Sequence, residues 1–165
     1  MSDFDFGKLE SSDLERSFSS AELARWGPRA VAWLIDLVLA IGVFLIPTVI
    51  LFAGAAVVGN DSAGTSAVAV LALIGYLAAT VWAGWFFGYR QGITGTTPGK
   101  RQQGLCLVDV DSGRPPGGAR GIGRWLIPSL INGVVAVYSI IDYLWPLWDT
   151  RNQRVTDKMF RTMVV

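Results

Sequence analysis

The stretch from Ala30 to Val58 carries one charge, Asp36, in 29 residues, with Arg29 standing at its mouth. Roughly 20 predominantly apolar residues cross about 30 Å of hydrocarbon, so this run predicts a membrane-spanning helix. An acid inside such a helix costs about 2.5–3.5 kcal/mol or more at the centre of the bilayer. A chain that keeps one needs a partner for it, a wet cavity or a proton. A second run, Ala67 to Tyr89, has no charge in 23 residues. A third, Ile122 to Trp148, is apolar but interrupted by Arg124, Pro128, Asn132-Gly133, Asp142 and Pro146. The first run starts behind an acidic leader and is far longer than the apolar core of a signal peptide, which argues against cleavage.

The net charge of +1 hides an asymmetry along the chain. Residues 1–24 are acidic and Ser-rich, which predicts a disordered tail, leaving one membrane domain over 25–165. Ser20 to Trp26 could form a short interfacial helix, with Trp26 and Trp33 in the aromatic belt. Pro28 suits the first turn of the first helix, and Pro47 predicts a kink within it. The link Gly59–Ser66 holds no Lys or Arg, whereas Arg90, Lys100, Arg101, Arg114, Arg120 and Arg124 crowd the second link. The positive-inside rule then puts the first link outside and the second in the cytoplasm. The chain is expected to be a multi-pass protein of the cell membrane with a cytoplasmic N-terminus.

Arg151, Arg154, Lys158 and Arg161 give residues 149–165 the same cytoplasmic preference. A single straight span over Ile122–Trp148 would put them outside. Two short arms, broken at Asn132-Gly133, would enter the membrane and return, and this re-entrant reading is favoured. Leu105 to Val110 and Thr162 to Val165 are both strand-like, and each has unpaired backbone groups that the other can satisfy, again requiring one side. The fold expected is all-α and integral to the membrane. It has two full transmembrane helices, a third broken or re-entrant segment, and a short cytoplasmic hairpin-like strand pairing.

Arg29 and Asp36 are two helical turns apart, about 10.5 Å along the axis. Helical side chains lean toward the N-terminus, so Arg29 points away from Asp36 and is expected to snorkel to the headgroups. Arg124 enters from the same side and is the best partner in prospect for Asp36. Asp36 is either a proton- or cation-binding group on a transport path or a structural anchor between helices. Asp142 is the second candidate of this kind, Asp149 is expected at the interface, and Asn132 suits a structural role at the break. Gly84, Gly88 and Gly92 permit close helix approach, within one subunit or between copies.

Several chemistries find no support. Gly95-Thr-Thr-Pro-Gly99-Lys100-Arg101 fails as a phosphate loop, because Thr94 replaces the first glycine and Arg101 the metal-binding hydroxyl. It reads better as a turn with basic residues near lipid phosphates. Without histidine and with Cys106 alone, no nucleophile–base pair, disulfide framework, metal site or cofactor is indicated, and an enzyme is not expected.

The residues also resemble the RDD family of small, mostly bacterial membrane proteins, named for one arginine and two aspartates. The resemblance rests on Arg29 with Asp36, on Thr97-Pro-Gly-Lys-Arg followed by Gly104 to Asp109, and on Arg124. It continues through Asp149-Thr-Arg-Asn-Gln-Arg-Val-Thr-Asp157-Lys158 and the terminal Thr162-Met-Val-Val. Asp157 fits the second family aspartate best, with Asp149 next, and Thr156 stands where relatives often have histidine. The resemblance implies membrane transport of an undefined ligand, in some relatives sodium–proton exchange. Three apolar segments are few to enclose a path, so a homo-oligomer is expected, with the bilayer and a small cation or proton as partners and no nucleic acid. The alternative is a non-transporting scaffold or assembly protein.

Overall fold

The computed structural model describes residues 23–59 and 61–165. The acidic tail, apart from Leu23 and Ala24, and Ser20–Glu22 of the interfacial helix expected from Ser20 lie outside that range, and Leu23–Arg25 are not helical. Within it, Arg25 is extended and helix α1 runs Trp26–Val58. Pro28 sits in its first turn, where its missing N–H costs nothing. Pro47 does not end the helix; it is buried against Gly75, where the absence of a side chain admits it. Gly59, with φ +64°, terminates α1 in a conformation that suits glycine.

Helix α2 spans Ser62–Thr94. Asp61 starts it by accepting the Gly64 N–H at 2.8 Å, a side-chain cap for one of the free donors of the first turn. The short link makes α1 and α2 an antiparallel pair, and the Thr48 and Tyr76 hydroxyls meet at 2.8 Å between them. Both helices are long and apolar enough to cross a bilayer. Their outward faces bear hydrocarbon almost throughout: Phe52 is 70% exposed and Val57 86%. A surface of this extent is rare on proteins that meet only water.

From Gly84 to Arg90, α2 widens into a π-helix. Glycines four apart would rotate by about 40° per step around an α-helix, and the wider turn works against that drift. Gly84, Gly88 and Gly92 all face helix α4, Gly118–Val134. A Cβ on Gly92 would strike the Gly117 carbonyl, one on Gly88 would meet Ile122 Cα at 3.1 Å, and one on Gly84 would press on Trp125. The stripe of small residues is therefore spent on packing within the chain.

The third apolar segment folds back on itself. Helix α4 ends at Val134 and α5 covers Tyr138–Leu144, followed by a 3-10 turn at Trp145–Leu147. The break falls just after the expected Asn132-Gly133, and Asn132 Oδ1 accepts the Ser139 N–H across it at 3.3 Å. The returning arm ends beside the start of α1. Trp26 Nε1 donates to the Tyr143 carbonyl at 3.2 Å, and the Tyr143 hydroxyl donates to the Arg29 carbonyl at 3.4 Å.

The two strands expected from the sequence do pair. Strand β1, Leu107–Asp109, and strand β2, Thr162–Val164, run antiparallel with Leu107 opposite Val164. All six residues are buried. The Ala24 N–H donates to the Val164 carbonyl at 3.0 Å on the other edge of β2, tying the start of α1 to the sheet. Helix α3, Pro98–Gln102, and helix α6, Val155–Met159, complete this end of the molecule.

Candidate functional site

Asp157 lies at the centre of this end and is fully buried. Arg29 Nη2 reaches its Oδ2 at 2.5 Å, and Arg124 Nη2 its Oδ1 at 2.6 Å. The Arg154 N–H adds a hydrogen bond to Oδ2 at 3.1 Å. Arg29 also donates to the Asn152 carbonyl, and Arg124 to the Thr162 hydroxyl. Burial alone would raise the Asp157 pKa. The charges of Arg124, Arg29 and Arg154 overrule it and hold the carboxyl well below its usual range. One carboxylate thus joins α1, α4 and the C-terminal segment.

Asp36 is placed differently from the expectation. Arg124 is drawn to Asp157, which lies on α6 within its reach, and Asp36 receives neutral donors. The Thr97 hydroxyl donates to its Oδ2 at 2.5 Å and the Gly99 N–H to its Oδ1 at 2.9 Å. Thr97 meanwhile accepts the Lys100 N–H at 3.2 Å as the cap of α3, whose first residue is Pro98. Asp36 therefore supplies a negative charge to the start of α3 and fastens it to α1. Gly99 makes this possible, because a Cβ there would overlap the Ala32 carbonyl.

The other nominated residues are also in hand. Arg29 is buried on Asp157 and does not snorkel. Asp142 is buried and accepts both the N–H and the hydroxyl of Thr156, at 2.7 and 2.9 Å. Asp149 accepts the N–H groups of Arg151 and Gln153, at 3.2 and 3.0 Å, and pairs with Lys158. Burial raises its pKa, yet the Lys158 bond and these amides bring it below the ordinary value. Burial also pushes the Cys106 thiol up, against the opposing charge of Lys100, which leaves it less nucleophilic than a free cysteine. Among the described residues no group of acids and cysteines could hold a metal ion.

Next to the Asp157 cluster opens a cavity of about 260 Å³. Asp36, Gln91, Lys100, Arg124, Arg154 and Tyr143 are among its walls. Sequence reasoning missed Lys100 and Arg154 as site residues, although both stand beside motifs it singled out. Among the described residues neither has a carboxylate partner. Gln91, with its amide oxygen turned toward the ammonium, accepts from Lys100 and donates to the Phe87 carbonyl at 2.6 Å. The Arg154 guanidinium stacks 3.7 Å above the Tyr143 ring.

Burial first, then repulsion from Arg124 and Arg154, pushes the Lys100 pKa well below its usual value, while Asp157 opposes the shift. The folded state therefore holds this proton less tightly than the unfolded chain, whose lysine titrates near about 10.4. Lys100 accordingly costs stability at any pH below that value, and the cost fades as pH rises toward it. Lys100→Gln is expected to raise the thermal unfolding midpoint of detergent-purified protein at pH 7, with the gain shrinking toward pH 10. An unchanged or lowered midpoint would contradict this account.

Two helices of membrane-crossing length, capped by a compact end built on buried arginine–aspartate pairs, support a membrane protein. The RDD family profile matches residues 23–161, and the chain belongs to the RDD family. It is 35% identical over 88 residues to a protein called proline-rich antigen in Mycobacterium leprae, a match covering 53% of this chain and 34% of that protein. It is 32% identical over 81 residues to a proline-rich antigen homolog of Mycobacterium tuberculosis, covering 49% of this chain and 32% of the relative. The match thus spans about a third of the length of these relatives. No solved structure is similar to the chain.

Proposed function

We propose that the chain is a multi-pass protein of the cell membrane that serves as a non-transporting anchor or assembly module, with a cytoplasmic N-terminus. The base-free first link and the basic segments 90–124 and 149–165 support that orientation. Pairing of β1 with β2 fits a third segment that enters the membrane and returns. In the relatives named proline-rich antigen, the matching stretch is about a third of the protein, which leaves room for further sequence beside an anchoring module.

The observation that carries this reading is the state of the two acids suited to a transport path. Asp36 and Asp142 accept their hydrogen bonds from Thr97, Gly99 and Thr156, as anchors between segments do. Arg29, Lys100, Arg124 and Arg154 line or adjoin the same cavity and repel a free cation. A second reading, exchange of a monovalent cation for protons at Asp36, draws on the fact that Asp36 borders that cavity.

Flux measurements separate the two. The wild-type chain in proteoliposomes is expected to move no sodium or protons beyond protein-free controls. Asp36→Asn is expected to lower the unfolding midpoint, since a hydrogen bond to a charged group contributes about 1.5–3 kcal/mol. Cation flux that disappears in a folded Asp36→Asn protein would establish exchange and overturn the anchor reading.

A further inference from the structure

Among the described residues, the cavity beside Asp157 has a surplus of positive charge. Arg29 and Arg124 share Asp157, and Asp36 is turned to the start of α3. Among the described residues Lys100 meets the Gln91 amide oxygen and Arg154 the Tyr143 ring, and neither meets a carboxylate. Two half-buried cations are left lining one partly open cavity, at a cost that favours any anion able to enter.

A second, larger cavity of about 500 Å³ adjoins the first and shares Trp33, Arg124, Trp125, Tyr143 and Arg154 with it. Its further walls include Pro128, Ile140 and Leu144, on the arms of the folded-back segment. Asp142 also borders it, with both Thr156 donors on its Oδ1, and its charge offsets part of the positive field. A polar, cationic chamber therefore opens beside a mainly apolar one, with Arg124 and Arg154 at the boundary. That division matches an amphiphile with an anionic head and a hydrocarbon tail.

We propose that these joined cavities bind an anionic phospholipid, its phosphate held by Lys100, Arg124 and Arg154 and an acyl chain lying between α4 and α5. The proposal rests on the membrane placement given above. A phosphate offers several acceptor oxygens to the guanidinium forks and a point contact to the ammonium. Phosphatidylcholine is disfavoured, because its own cation would enter the same positive field. Free phosphate has the right head chemistry but leaves the apolar chamber empty.

The test uses the full chain in nanodiscs holding equal phosphatidylglycerol and phosphatidylcholine, with retained lipid counted by native mass spectrometry after transfer to detergent. Across the joined cavities Arg29, Lys100, Arg124 and Arg154 exceed Asp36, Asp142 and Asp157 by one charge, which predicts a preference of about fivefold for phosphatidylglycerol. Lys100→Gln with Arg154→Gln should abolish it, whereas Arg101→Gln with Arg151→Gln, which removes two exposed charges, should keep it. Among the described residues neither Lys100 nor Arg154 has an acidic partner, so the first pair is expected to fold, and its unfolding midpoint checks that. Bound phosphatidylglycerol should also raise the wild-type midpoint and leave the Gln pair unmoved. Equal loss in both pairs, or inorganic phosphate competing as well as the lipid, would overturn the proposal. Retained lipid with no headgroup preference would overturn the site while leaving the membrane reading intact. A chain that is water-soluble and carries no lipid would overturn both.

Discussion

Asp157→Ala is expected to lower stability by about 3–5 kcal/mol, because it leaves the Arg29 and Arg124 charges buried with no counter-ion. Against a typical total of about 5–15 kcal/mol, a loss of that size should show as poor yield and an unfolding midpoint many degrees lower. The loss belongs to the stranded arginines more than to the missing carboxylate. Adding Arg29→Met and Arg124→Met to Asp157→Ala should therefore recover most of it, as replacement of whole buried ion clusters does elsewhere. The wild type should also show the cluster in its pH dependence. The Asp157 pKa is depressed in the folded state, so the unfolded chain binds the proton more tightly. Its contribution is complete above the unfolded value of about 3.9 and is lost as pH falls below it. Thermal unfolding of detergent-purified protein between pH 7 and pH 3 measures both effects. A single Asp157→Ala variant as stable as its parent would show that the triad does not hold this end together.

The helices were legible because their signal is local. Ala30–Val58 and Ala67–Tyr89 declare themselves by length and lack of charge, and α1 and α2 lie over them. The strand pairing and the fold-back of the third segment were also within reach, since unpaired backbone and clustered bases constrain the topology from the sequence. Side-chain partnerships were not. Arg29 is separated from Asp157 by most of the chain, and periodicity says nothing about which of several acids an arginine will meet. Asp36 was expected to need a charge, yet a short capped helix met the need through Thr97 and Gly99. The signal for this was present in Thr97-Pro98-Gly99-Lys100, a hydroxyl cap before a proline, which reads as a helix start once a helix of a single turn is allowed. Lys100 and Arg154 were counted as topogenic charges, and only the enclosing walls reveal that they face a cavity.

Gly99→Ala offers the sharpest test of how α3 is fastened, because one methyl group should do more damage there than at almost any other glycine. The new Cβ would fall on the Ala32 carbonyl, a backbone group in the second turn of α1 that cannot turn aside. Helix α3 must move off α1 to make room. Overpacking of this kind costs about 1–3 kcal/mol. The displacement also pulls the Gly99 N–H from Asp36 and loosens the Thr97 contact, adding about 1.5–3 kcal/mol for each charge-assisted bond lost. The Asp36 carboxylate would then face the cavity unsatisfied. Gly42→Ala is the natural comparison, since nothing lies within 4 Å of a Cβ there and the residue sits inside α1. Its expected effect is the opposite, a gain of about 0.5–1 kcal/mol from restricting the unfolded chain and favouring the helix. The two proteins differ from wild type by the same methyl, so a midpoint that falls for Gly99→Ala and rises for Gly42→Ala isolates the contact with Ala32. If both variants shifted the midpoint alike, the close approach of α3 to α1 would have to be abandoned, and with it the structural role of Asp36.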